Sequence, residues 1–197
     1  YMATKSHKVA RNLLKYRYDH LEKAIENAEK LGFKNGSALY PMVTMNGEEC
    51  HNEWEITFEE IHRNGAIAYA IFNYERFTGD LTYIPEMGLE VLIAISRFWA
   101  ERVNYSENKK AYVILGVTGP NEYENNVNNN WYTNYLAQWC LLYTTKEILK
   151  IKKIHPQHWN KIKQKVSWQE SEIDKWNQIA TQIHFPRHPE NDIFLQQ

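Results

Sequence analysis

The sequence predicts an all-α fold. Apolar residues recur every three or four positions through most of the 197 residues, and no series of alternating segments indicates a sheet. Two connections of about 25 residues, at 31–56 and 106–129, separate the periodic segments, whereas simple helix bundles have short connections. We therefore expect five or six helices, following one another in pairs, within a single domain or part of one.

The first helix is expected over about residues 7 to 30. Its apolar stripe follows steps of three and four: Leu14, Tyr18, Leu21, Ile25 and Ala28. Gly32 then fits a C-terminal stop, because glycine readily adopts the left-handed conformation that ends many helices.

The second helix repeats this pattern from Phe58 to Phe72. Because the run from Gly65 to Phe72 is apolar on nearly every side, we expect this helix to be buried all round. A third helix begins at Pro85, a residue that is tolerated in a first turn, and continues to Phe98.

Three further helices are expected in the second half of the chain. The fourth follows Tyr132 through Leu136 and Tyr143, and a shorter one runs from Pro156 to Val166. The last opens with a capping box, in which Ser167 and Glu170 satisfy free backbone groups, and continues through Ile173, Trp176 and Ala180.

Composition and charge bound the class of protein. With 43% hydrophobic and 24% charged residues, the chain is expected to be soluble and globular. A net charge of −1 gives no global attraction to nucleic acid or to anionic membranes, and no apolar run is long enough to cross a bilayer. The two cysteines, Cys50 and Cys140, favour a reducing, cytoplasmic setting, although they leave one disulfide open.

The segment Gly119–Asn130 is the strongest candidate for function. It places Glu122 in an asparagine-rich loop between two helical segments, and amide side chains suit a polyhydroxylated ligand such as a carbohydrate. A carboxylic acid that stays protonated near neutral pH can donate a proton to a glycosidic oxygen. Burial or a neighbouring carboxylate, Glu124 or Glu53, would favour that state, whereas a solvated turn residue would have no such role.

Other polar residues have two interpretations each. His51 and Trp54 either contact a sugar or help to pack the loop, and His62 and Asn64 either contact a sugar or satisfy the start of a helix. His155 and His158 have helical spacing, but no further ligand completes a metal set, so no metal site is expected.

Several motifs, in their order and spacing, resemble glycoside hydrolase family 65 from end to end. They are Arg11–Tyr18, Ala38–Pro41 with Gly47–Glu49, Ala68–Ile71, Arg97–Ala100 and Gly119–Asn134. The resemblance implies that residues 1–197 are a partial catalytic domain, about half of an (α/α)6 barrel, within a longer chain.

Within the family, the resemblance is greatest to the members that act on maltose. It implies that Glu122 is the general acid, while Asn121, Glu124 and Asn128 depart from the residues of many other members in the direction of the maltose group. The resemblance also implies that the segment Cys50–Glu55 belongs to a loop that helps to define the second sugar subsite. The substrate-binding residues expected from these comparisons and from the loops are His51, Asn52, Glu53, Trp54, His62, Asn64, Tyr123, Asn128 and Asn129.

The activity that the resemblance implies is inverting phosphorolysis of maltose to glucose and β-glucose 1-phosphate. Inorganic phosphate is then a co-substrate, no cofactor or metal is needed, and the full-length chain forms a homodimer. Three alternatives stay open: an inverting α-glucosidase or trehalase-like hydrolase, a trehalose or kojibiose phosphorylase, and a non-catalytic helical carbohydrate-binding scaffold.

Overall fold

The computed structural model describes residues 6–50, 55–191 and 193–197 and is predominantly helical, which confirms the expected all-α class. Its elements, in chain order, are α1 (His7–Asp19), α2 (Leu21–Lys30), α3 (Ile56–Glu59), α4 (His62–Thr78), a π-helical turn (Ile84–Gly88), α5 (Leu89–Arg102), β1 (Asn104–Ser106), β2 (Ala111–Val113), α6 (Trp131–Ile154), α7 (Pro156–Lys165) and α8 (Ser171–Gln182). The antiparallel pair of β1 and β2 was not predicted, and it occupies the start of the long second connection.

The expected helix over residues 7 to 30 is wrong as a single element, because it breaks at His20. This residue leaves helical geometry, with φ −107° and ψ 18°, and both its backbone N–H and its ring nitrogen Nδ1 bond the carbonyl of Tyr16. Gly47 packs over the break so closely that a Cβ there would lie 2.5 Å from the His20 ring. An apolar stripe reports which face is buried, and this stripe continues across the break because both α1 and α2 contribute buried residues to it.

The helix that is buried all round is α5, and the same expectation for α4 is wrong. Every residue of α5 from Leu89 to Ala100 is buried, whereas Ala66 and Tyr69 of α4 are exposed. The core therefore centres on α5, with α6 packed along it.

The close approach of α4 to α6 sets the geometry of the site end of the molecule. A Cβ on Gly65 would lie 2.8 Å from Leu136, so the two helices meet without room for a side chain at this position. Asn130 caps α6 by accepting the backbone N–H of Thr133 through Oδ1 (3.1 Å). Gly119 packs against this cap, since a Cβ on Gly119 would overlap the Asn130 amide.

The last helix exists as expected, but the predicted capping box is wrong. The helix begins at Ser171, and Ser167 lies before it with a positive φ of 49°. Glu172 instead accepts the backbone N–H of Gln169 (3.0 Å) and forms two bonds with the guanidinium of Arg97, at 2.7 and 2.8 Å. This bidentate pair joins α8 to α5.

Both cysteines are free, with Cys50 exposed and Cys140 buried, so the disulfide left open by the sequence does not form. Within the described part of the chain, none of the helices combines the length and the apolar character needed to cross a membrane.

Candidate active site

A loop closed at its base carries Glu122. Val117 and Val127 exchange two backbone hydrogen bonds of 2.8 Å, which bring the two ends of the 117–127 loop together. Thr118 then donates its backbone N–H to the carbonyl of Glu59 (3.2 Å), at the end of α3. The loop therefore lies against the α3–α4 junction.

Glu122 is exposed, and its carboxylate interacts with that of Glu60 at the same junction. The side chain of Glu60 is only 7% exposed. Burial raises the pKa of Glu60 above its usual value, the charge and the hydrogen bond of Glu122 raise this pKa further, and nearby Arg63 opposes the rise. The structure thus places a buried carboxyl group, that of Glu60, beside Glu122.

Glu60 was not among the neighbours of Glu122 that the sequence suggested. Glu124 accepts a hydrogen bond from Gln197 (2.9 Å), and Glu53 lies outside the described residues. Glu60 belongs to the α3–α4 junction, which is about sixty positions from Glu122 in sequence, and no local pattern brings such positions together. The available signal was two consecutive glutamates followed by an apolar helix.

Arg63 supports this junction and was also missed. Its guanidinium donates to the carbonyls of Tyr40 (2.6 Å), Glu60 (2.8 Å) and Thr57 (2.7 Å). Burial lowers the pKa of Arg63 to about 10, while Glu49 and Glu60 raise it. An arginine at the start of an otherwise apolar helix was the signal in the sequence.

His62, the first residue of α4, lies close enough to Glu122 to be affected by its charge. Burial lowers its pKa below the usual value, against the opposing effects of the Thr118 backbone and the charge of Glu122. The ring packs edge-on against Tyr132 at 5.7 Å, and its Nδ1 has no hydrogen-bond partner among the described residues. Burial thus favours the neutral form of His62, and its contact with a sugar stays a prediction.

Asn64 has a structural role in place of the expected sugar contact. It is fully buried, and its amide bonds the backbone of an extended segment, Ala38–Tyr40. Oδ1 accepts the N–H of Tyr40 (3.0 Å), and Nδ2 donates to the carbonyl of Ala38 (2.8 Å). The second interpretation of this residue, satisfaction of the chain's own backbone, is the one that the geometry supports.

The remaining loop residues differ in their availability. Tyr123 is 98% exposed, and Asn128 is exposed while its Oδ1 accepts the N–H of Gly116 (3.0 Å). Asn129 is buried, and both its backbone N–H and its Oδ1 bond the backbone of Ile114. Tyr123 and Asn128 remain predicted sugar contacts, whereas Asn129 holds the loop. The predictions for His51, Asn52, Glu53 and Trp54 fall outside the described residues.

Comparison with known proteins identifies relatives along the whole chain. Residues 1–197 match the family model described as the glycosyl hydrolase family 65 central catalytic domain. The maltose phosphorylase of Bacillus subtilis (strain 168) is 55% identical over 196 residues, which cover 100% of this chain and 25% of the relative. An α,α-trehalose phosphorylase of Geobacillus stearothermophilus is 35% identical, over 95% of this chain and 25% of that protein.

A solved structure with the name "Putative kojibiose phosphorylase from human microbiome" has the same fold. It superposes with a TM-score of 0.86 at 29% identity, over 96% of this chain and 24% of that one. This likeness confirms the predicted architecture, part of an (α/α)6 barrel. The chain spans about a quarter of the length of the relatives it matches. Because the family model covers all of its residues, the chain belongs to glycosyl hydrolase family 65.

Proposed function

We propose that the full-length protein is an inverting disaccharide phosphorylase that acts on maltose. The support is the 55% identity to a maltose phosphorylase along the whole chain, against 35% to a trehalose phosphorylase and 33% to a kojibiose phosphorylase. The substrate preference therefore follows the relative with the greater identity.

In this reaction Glu122 is the general acid. Its protonated carboxyl donates to the glycosidic oxygen as the bond to the anomeric carbon breaks, and the departing glucose keeps that proton. Inorganic phosphate attacks the same carbon from the opposite face. This attack inverts the configuration and gives β-glucose 1-phosphate, so no second carboxylate is needed to activate water.

The contact between Glu122 and Glu60 carries the proposal for the acid. Burial and the charge of Glu122 both raise the pKa of Glu60, so a buried carboxyl group that favours its protonated form lies beside Glu122. The side chain of Glu122 is exposed, which leaves its carboxyl group accessible to a substrate. His62 and Tyr123 offer polar groups beside it for sugar hydroxyls.

Phosphate dependence tests the reaction. We expect the full-length protein to release glucose and β-glucose 1-phosphate from maltose in equal amounts, and only when inorganic phosphate is present. Glucose release without phosphate would favour a hydrolase, turnover of trehalose or kojibiose in place of maltose would change the substrate, and turnover of none of the three would favour a binding scaffold. Anomer-specific detection of the sugar phosphate checks the inversion.

The raised pKa of Glu60 predicts a pH-dependent effect on stability. The folded protein favours the protonated carboxyl, so Glu60 is best tolerated below its ordinary pKa of 4.5 and destabilises increasingly as pH rises through the raised value. Glu60→Gln should therefore raise the thermal unfolding midpoint at pH 8 but not at pH 4. Equal effects at both pH values would contradict burial of an ionisable carboxyl. Exposed Glu29→Gln is the matched control and should change neither midpoint.

A further inference from the structure

The carboxylate of Glu59 contacts both limbs of the 117–127 loop. Its Oε2 accepts the hydroxyl of Thr118 at 2.6 Å and the backbone N–H of Asn126 at 2.9 Å. Its backbone carbonyl also accepts the N–H of Thr118. Three hydrogen bonds therefore connect this one residue to the loop.

The two loop residues that Glu59 bonds are equally separated from Glu122 in sequence. Thr118 lies four residues before Glu122, and Asn126 lies four residues after it. Thr118 is fully buried, and Asn126 directs its N–H to Glu59 from a left-handed conformation with φ 52°. Val117 and Val127 close the base of the loop, and the carboxylate of Glu59 links Thr118 to Asn126 just beyond that base.

Glu59 also immediately precedes Glu60, the carboxyl group that Glu122 contacts. The same short segment thus holds the loop and supplies the partner of the acid. A displacement of the loop would move Glu122 relative to Glu60 and relative to the glycosidic oxygen together. General acid catalysis requires hydrogen-bond reach to that oxygen, so such a displacement would affect the chemical step.

We propose that Glu59 is the positioning residue of the general acid. Its Oε2 bridges Thr118 and Asn126 and so holds Glu122 where it protonates the leaving sugar. The inference rests on the proposed phosphorylase function and adds to it a residue that does not itself contact substrate.

A positioning role makes a prediction that general damage to the fold does not. Glu59→Ala should lower kcat for maltose about 10- to 100-fold and change KM less than about threefold, because binding survives while proton donation is misaligned. Glu59→Gln, whose amide oxygen can accept both bonds, should retain kcat within about threefold. Fluoride leaves with little need for protonation, so phosphorolysis of α-glucosyl fluoride should survive in both variants.

The measurement is steady-state kinetics of the full-length protein on both substrates, with unfolding midpoints recorded for each variant. Thr118→Val removes one of the bridging bonds and Thr118→Ser keeps it, so this pair repeats the comparison if Glu59→Ala folds poorly. Exposed Glu29→Ala controls for loss of a carboxylate elsewhere.

The proposal is supported if Glu59→Ala and Thr118→Val lose maltose turnover but keep α-glucosyl fluoride turnover, while the conservative variants Glu59→Gln and Thr118→Ser keep both. Unchanged maltose kcat in Glu59→Ala and Thr118→Val overturns it, as does an equal loss on both substrates.

Glu122→Gln separates this result from the proposed function. If that variant is inactive on maltose while Glu59→Ala is normal, only the positioning role fails, and if Glu122→Gln is normal, the assignment of the acid itself fails.

Discussion

Replacement of Glu122 by Gln is expected to lower kcat for maltose phosphorolysis by about 10²- to 10⁴-fold. The amide has nearly the same shape but has no proton to donate to the leaving oxygen. KM for maltose should change little, because the lost interaction develops only in the transition state. Initial rates of glucose 1-phosphate formation by the full-length protein measure the effect.

Two comparisons make this expectation specific. Glu124→Gln is the same change in the same loop, and kcat should stay within about threefold because this carboxylate bonds Gln197 rather than a carboxyl group. The Glu122→Gln variant should still consume α-glucosyl fluoride in the presence of phosphate. An equally large loss on the fluoride, or a normal rate on maltose, would show that Glu122 is not the proton donor.

The largest effect on stability is expected from Arg97→Ala. This change removes the guanidinium from a bidentate pair whose side chains are only 10% and 17% exposed, and it leaves Glu172 partly buried without its partner. Removing one member of such a pair should lower the free energy of unfolding by about 3 kcal/mol. Urea or thermal unfolding of the full-length protein measures the change.

Two control variants test whether burial of the Arg97–Glu172 pair causes this loss. Lys110→Ala breaks the ion pair with Glu107, whose side chains are 73% and 78% exposed, and should cost less than about 1 kcal/mol. The double change Arg97→Met with Glu172→Leu should be less destabilising than Arg97→Ala alone, because it leaves no buried charge. A loss for Arg97→Ala no greater than that for Lys110→Ala would show that the pair does not hold α8 to α5.

The sequence predicted the helices well and their interruptions poorly. Side-chain periodicity marked α4, α6 and α7 because each buries one recurring face. The break at His20 and the hairpin before Val113 were missed, since each depends on contacts with distant parts of the chain. Gly47 packs against the break at His20, and Tyr112 of the hairpin forms a backbone bridge with Ile183.

The residues of the candidate site that lie within one sequence motif were predictable. Those that are far from this motif in sequence were not. The motif around Glu122 indicated the loop at 117–127 and a candidate acid within it. Glu59, Glu60 and Arg63 act through contacts across the fold, so they had no signal beyond their residue types. Asn64 kept two interpretations in the sequence because an amide at the start of a helix looks the same whether it faces a ligand or the chain's own backbone.

The segment that Asn64 holds depends on three helices at once. Ala38–Tyr40 is buried without belonging to a helix or strand, and its backbone bonds are all long-range: Ala38 N–H to Ala94 of α5, Leu39 N–H to Ala24 of α2, and Tyr40 to Asn64 and Arg63 of α4. Buried backbone groups need partners, and here none is local. The backbone of this segment therefore depends on α2, α4 and α5 together, and displacement of any one of these helices would leave a buried polar group without its partner.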